Sequence, residues 1–278
     1  MHFLRALNNG VQTQFHWKKE IILVTGGSGG IGAAAVQRLA TRGSKIVVID
    51  VIPLTFPKRD NITYYKCDLT DFEALKATAA IIESEIGRPT CVVANAGICR
   101  GKSLFDATQR DIELTFGVNN LGLIWTAKTF IPAMVKENRG HFLIIASQTG
   151  LLATANIADY AATKSAALAI YEGLHTEIKH LHQAPNVRIS CISPSAVRTK
   201  MFDGIKGQSN FFLPRLSAED LGGLISDVLW KGESQNIMTP DFAYISLFSK
   251  VLPEWMRVGM QDAGADIMTD LNPHHPLK

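Results

Sequence analysis

Short β-branched runs alternate with longer helix-periodic stretches along nearly the whole chain, and this alternation restricts the fold more than any other feature. The runs at 21–24, 45–50, 62–66, 90–94, 141–146, 187–192 and 236–239 read as strands. Most are apolar at every position, as expected of strands covered on both faces of a parallel sheet. The stretches at 31–42, 71–86, 109–137, 158–182 and 217–231 read as helices, with Asp68, Thr70 and Asp71 as capping candidates for the second. Strand-helix-strand repetition requires right-handed crossovers. The expected fold class is α/β, a doubly wound three-layer sandwich with a mostly parallel sheet of about seven strands.

No Pro, Gly or Ser-rich linker divides the chain, so residues 20–240 are expected to form one domain, with an N-terminal arm at 1–19 and an apolar tail at 241–278. Hydrophobic residues make up 46% of the 278, enough for a large core. A formal charge of +3 without a basic block argues against nucleic-acid binding. The four cysteines, Cys67, Cys91, Cys99 and Cys191, stand far apart without a metal-ligand spacing, so neither a disulfide framework nor a metal site is expected. No apolar stretch approaches 18 residues, and polar residues interrupt 1–19. A reduced, cytoplasmic setting follows as the expectation. Residues 199–216 mix Gly, Ser and Asn with Phe202, Phe211, Phe212 and Leu213, and a loop of this length inside a compact domain is more often functional than idle.

The first strand runs into Thr25-Gly26-Gly27-Ser28-Gly29-Gly30-Ile31-Gly32, and a helix follows directly. Glycines there let the backbone approach a pyrophosphate, and the helix start aims free N–H groups at the anion. This is the placement a Rossmann-like dinucleotide fold requires. The second strand ends at Asp50, whose carboxylate can accept hydrogen bonds from both ribose hydroxyls and would repel a 2′-phosphate. NAD is therefore favoured over NADP, with Lys58 and Arg59 as the nearby cations that could act against that preference.

Tyr160 and Lys164 are one helical turn apart on one face. A phenol is a poor base at neutral pH, but an adjacent ammonium favours its phenolate and suits an alcohol/carbonyl interconversion. Ser147 follows the fifth strand, at the sheet end where such folds present ligands. Asn119 lies inside the helical stretch 109–137 as a polar group needing a partner, and Asn95-Ala96-Gly97 makes a small-residue turn after the fourth strand.

Taken together these motifs resemble the short-chain dehydrogenase/reductase family over about residues 20–240: the glycine turn, Asp50, Asp68-Leu69, Asn95-Ala-Gly97, Asn119, Ser147, Tyr160-x-x-x-Lys164, and Pro194 with Thr199. The resemblance implies Tyr160 as acid/base, Ser147 positioning the substrate oxygen, Lys164 binding the nicotinamide ribose, and Asn119 holding a relay water. It also implies cofactor contacts from Gly26, Ser28, Gly30, Ile31 and Gly32 at the turn. Asp68 and Leu69 would meet the adenine, and Pro194, Val197 and Thr199 the nicotinamide end. Two positions depart from the pattern: Ala94 where a second Asn is common, and Ser195 where Gly usually follows Pro194. The layout Phe116-x-Val118-Asn119, Phe130-Ile-Pro-Ala-Met134 and Val251-Leu252-Pro253-Glu254 is similar to the retinoid and steroid dehydrogenases of that family.

The expected activity is NAD(H)-dependent interconversion of a secondary alcohol and a ketone on a hydrophobic, steroid-, retinoid- or natural-product-like molecule. Two alternatives stand beside it: a catalytically inactive NAD-binding sensor or scaffold, and a natural-product tailoring enzyme with a non-redox second step. The alanine-rich face of the helix carrying Tyr160 and the family resemblance imply a homodimer or homotetramer. The apolar tail leaves a peripheral membrane contact open.

Overall fold

The computed structural model describes residues 16–204, 215–262 and 265–268. Seven strands form one sheet in the order β3-β2-β1-β4-β5-β6-β7, every neighbouring pair parallel. They are β1 (Ile21–Thr25), β2 (Lys45–Asp50), β3 (Ile62–Lys66), β4 (Cys91–Ala94), β5 (Gly140–Ile145), β6 (Val187–Pro194) and β7 (Asn236–Thr239). The pleat explains why these strands are apolar throughout. Leu23 of β1 joins the core on one face of the sheet, whereas its neighbours Ile22 and Val24 join the core on the other.

Helices cover both faces. On one side lie α1 (Gly30–Ala40) and, later in the chain, α6 (Ala218–Lys231); on the other lie α2 (Phe72–Glu85), α4 (Gly122–Glu137) and α5 (Ala158–His180), with α3 (Gln109–Phe116) packed against α5. The starts of α2, α3 and α6 are closed by the side chains of Asp71, Thr108 and Ser217, each accepting a first-turn N–H. Gly222 of α6 packs directly on the α1 backbone, where a Cβ would stand 2.8 Å from the Ala34 carbonyl carbon.

The stretch expected as one helix over 109–137 is three pieces. A π-helical turn at Gly117–Leu121 separates α3 from α4. It widens the helix where two adjacent side chains both turn inward: Asn119 to Ile98 and Thr163, and Asn120 to the Thr163 carbonyl. The end of the N-terminal arm is packed rather than free, because Trp17 stacks on Trp230 with ring centroids 5.6 Å apart. The 198–215 excursion is closed at its stem: Val197 pairs with Leu216, Arg198 N donates to Leu216 O and Leu216 N to Ala196 O. Phe211, Phe212 and Leu213 lie outside the described residues.

The tail forms short helices α7 (Ile245–Phe248) and α8 (Glu254–Asp262) and then a turn, Ala265–Met268. Gln261 Nε2 donates to the Ala153 carbonyl, and the buried Met268 joins Cys99, Ile157 and Tyr160 in a small apolar cluster. Its outer surface exposes Phe248, Val251 and Trp255.

Candidate active site

The sheet order reverses between β1 and β4, and the chain leaves an open crevice beyond the carboxyl ends of those strands, where α/β sheets hold their ligands. A cleft of about 1310 Å³ occupies it, running from Asp50 and the glycine turn past Ser147 and Tyr160 to Met201 and Phe202.

One end of the cleft joins a tight glycine turn to the start of α1. Gly26 has φ +62°, and a Cβ on it would stand 2.8 Å from the Ala96 Cα, so only glycine fits the turn. A Cβ on Gly32 would collide with the Gly26 carbonyl oxygen, which fixes the turn against the helix. Unlike α2, α3 and α6, α1 begins without a side-chain cap, so its first-turn N–H groups have no side-chain acceptor among the described residues. Asn95 straps this turn to the sheet, its Nδ2 donating to the carbonyls of Thr25 and Gly26, both at 3.0 Å. Thr199 covers the turn from the other side, with its Cγ2 3.4 Å from where a Gly30 Cβ would sit.

Asp50 is oriented by backbone, not by a cation. Its Oδ2 accepts the Ser28 N–H at 2.9 Å and its Oδ1 the Ile52 N–H at 3.2 Å. Asp50, Val51, Ile52 and Thr55 line this end, and Lys58 and Arg59 do not. The hydroxyl of Ser28 is fully buried and donates to the Ile52 carbonyl, so it ties two loops together instead of facing the cleft. Gly32 likewise stands behind the lining. Gly26, Gly30, Ile31, Asp68, Leu69, Asn95, Ala96 and Gly97 all border the cleft, as do Pro194, Val197 and Thr199. Asp68 already accepts the Thr70 N–H and hydroxyl through its Oδ1.

At the other end, α5 delivers Tyr160 and Lys164, and the end of β5 delivers Ser147; all three are buried and line the cleft. Burial pushes the Tyr160 phenol well above its ordinary range, the nearby Cys99 thiol adds to the rise, and the Ser147 hydroxyl works against it by hydrogen bonding. Burial also lowers Lys164 to about 8. Its Nζ donates to the Ile145 carbonyl at 2.9 Å and lies 5.6 Å from the centroid of the Tyr160 ring. The opposing pull on the phenol in this structure therefore comes from Ser147 and not from the lysine, whose ammonium is directed at a backbone oxygen.

Asn119 stands behind this group. Its Oδ1 accepts the Ile98 N–H at 2.8 Å, and its Nδ2 donates to the Ile98 carbonyl and the Thr163 hydroxyl, each at 2.9 Å. Thr163, fully buried, donates in turn to the Tyr160 carbonyl at 2.7 Å. Sequence reasoning passed over this threonine. The signal was a hydroxyl three residues after Tyr160, placed to bond back along the helix. Phe202 of the 199–216 segment, expected to line the substrate pocket, borders the cleft, and its ring meets Tyr160 edge-on with centroids 5.9 Å apart.

Residues 20–210 match the family profile described as short chain dehydrogenase. The chain belongs to this family. This short-chain dehydrogenase is 31% identical over 245 residues to estradiol 17-beta-dehydrogenase 11 of Macaca fascicularis, covering 84% of this chain and 80% of the relative. It is 29% identical over 244 residues to epidermal retinol dehydrogenase 2 of Mus musculus, covering 84% and 78%. Among solved structures, a short chain dehydrogenase from Leptospira borgpetersenii with bound NAD+ superposes with a TM-score of 0.68 at 20% identity, over 80% of this chain and 91% of that one. The two departures from the family pattern are absorbed locally in this short-chain dehydrogenase. Ser195 donates its N–H to the Thr239 carbonyl at 2.8 Å and is not among the described residues with positive φ. Ala94 ends β4, paired with Thr25 and Ile144.

Proposed function

We propose that this short-chain dehydrogenase uses NAD(H) to interconvert a secondary alcohol and a ketone on a hydrophobic small molecule. The observation that carries the reading is the convergence of Ser147 and Tyr160, two buried hydroxyl-bearing side chains, on one cleft whose far end is an uncapped helix start beside a backbone-held carboxylate.

The residues fit the cofactor. The uncapped start of α1 and the glycine turn would take the pyrophosphate, Asp50 the adenosine ribose hydroxyls, and Pro194, Val197 and Thr199 the nicotinamide end. Asp50 supports NAD over NADP because a phosphate there would meet a carboxylate already aimed by two N–H groups. Bound NAD supplies the hydride acceptor at the ring. Ser147 donates a hydrogen bond to the reacting oxygen and holds it beside Tyr160. Tyr160 exchanges the proton with that oxygen; burial favours its protonated form, the form that serves reduction directly. Lys164, once turned from the Ile145 carbonyl to a ribose hydroxyl, would anchor the cofactor and bring its charge to the phenol. Met201 and Phe202 make the substrate end apolar, which supports a hydrophobic substrate. Exposed Phe116, Leu121 and Ile124 along α3, the π turn and α4 support burial of this face in a homo-oligomer.

The test is a screen of apolar secondary alcohols, including estradiol and 2-octanol, read as NADH formation, repeated with Tyr160→Phe. The substitution keeps the ring and its contact with Phe202. Turnover should fall at least about a hundredfold with NAD affinity kept within a few-fold, the scale of losing a general acid/base. Substantial activity in Tyr160→Phe overturns the reading.

A further inference from the structure

We propose that Thr149 is a positioning residue that fixes the direction in which Ser147 presents its proton, an inference that rests on the oxidoreductase reading. Ser147 caps the turn Gln148–Gly150. Its Oγ accepts the Thr149 N–H at 3.2 Å and the Thr149 hydroxyl at 2.9 Å. A serine oxygen has two acceptor lone pairs and one hydrogen, so these two bonds fill its accepting capacity. Its own O–H is left as a donor, and Ser147 lines the cleft beside Tyr160.

This arrangement gives the pair of hydroxyls one polarity: Thr149 donates to Ser147, and Ser147 donates outward. A reacting oxygen in the cleft then receives the Ser147 hydrogen bond and has Tyr160 as its proton partner. Thr149 is not part of the cleft lining and acts only through Ser147. Remove the threonine hydroxyl and one Ser147 lone pair is released. Ser147 can then accept an alcohol O–H, which holds the substrate with its proton turned away from Tyr160. Such a complex binds and does not react. Because the substrate partitions between a productive and an unproductive orientation, kcat and KM fall by the same factor and kcat/KM is held.

The experiment compares wild type, Thr149→Val, Thr149→Ser, Ser147→Ala and the combined Ser147→Ala/Thr149→Val protein, with cyclohexanol, 2-octanol and estradiol as probes and NADH formation as the readout. Valine keeps the volume and branching of threonine without its hydroxyl. Thr149→Val should lower kcat and KM together, each roughly two- to tenfold, the span of one neutral hydrogen bond, with kcat/KM and NADH affinity by fluorescence titration within about twofold of wild type. Thr149→Ser should restore kcat. In the Ser147→Ala background the valine should cost nothing further, because no hydroxyl is left to orient. An equal loss in both backgrounds, or a Thr149→Val protein that matches wild type, overturns the inference and leaves the oxidoreductase reading standing. A wild-type protein that binds NADH but turns over none of the probes overturns the reading and the inference with it.

Discussion

Acid should unfold this protein partly through one histidine at the base of the sheet. His141 is buried at the start of β5, and burial lowers it from 6.5 to about 3, with the neighbouring Arg188 guanidinium adding to the fall. Its Nε2 lies 2.9 Å from Ser190 Oγ, and Ser190 donates onward to the Glu233 carbonyl, so Nε2 carries the hydrogen and Nδ1 is the bare nitrogen. Nδ1 has no hydrogen-bond partner among the described residues. A proton added there would be a buried donor with nothing to receive it. Because the folded value lies below the unfolded one, the unfolded chain binds more protons between about pH 3 and pH 6.5. The contribution is therefore complete above pH 6.5 and lost as pH falls through that window. From pH 7.5 to pH 4.5 the loss amounts to about 2.7 kcal/mol, from RT ln(1 + 10²) with an unfolded value near 6.5. Urea unfolding of wild type and His141→Gln at four pH values across that range isolates it, since carboxylates contribute to both proteins alike. The glutamine protein should lose about 2.7 kcal/mol less on acidification. Parallel pH dependences would show that His141 takes up a proton inside the fold and would refute the reasoning.

Asp50→Ala should weaken NAD binding roughly ten- to a hundredfold, the worth of charge-assisted ribose bonds, and narrow the preference over NADP in a fluorescence titration. Gly222→Ala places a methyl group against the Ala34 and Ala35 backbone, and the overpacking should lower unfolding stability by about 1–3 kcal/mol in denaturant melts. Because α1 begins at the glycine turn, NAD affinity should drop with it. Phe202→Ala should raise KM for bulky apolar alcohols far more than for cyclohexanol, since the ring lines the substrate end without touching the phosphate end. Lys164→Met should damage both cofactor affinity and kcat in steady-state assays, because one ammonium is proposed to serve both.

The strands were legible because burial on both sheet faces leaves an unbroken apolar run, and each observed strand lies within two residues of its expected span. The π turn at Gly117–Leu121 was not legible. It depends on where Ile98 and Thr163 stand in three dimensions, and helical periodicity carries no trace of one added residue. The site was readable as a set of residue types at fixed spacings, but not the direction of each polar group. Ser28 turns to Ile52 and Lys164 to Ile145 because backbone oxygens, invisible in the sequence, compete for them. Thr149 escaped notice for the same reason, since its partner is fixed by the three-residue turn Gln148–Gly150 after β5.

The pinned stem at Val197 and Leu216 separates two kinds of change. Its backbone bonds hold the ends of the intervening segment beside β6 whatever side chains lie between them. Lengthening a closed loop costs only about 0.6 kcal/mol per doubling, so insertions there would scarcely strain the sheet. The stem thus isolates the sheet from changes in the length of what it encloses. Length and side-chain identity beyond Phe202 are thereby uncoupled from the sheet, while Thr199, on the near side of the stem, stays tied to the glycine turn.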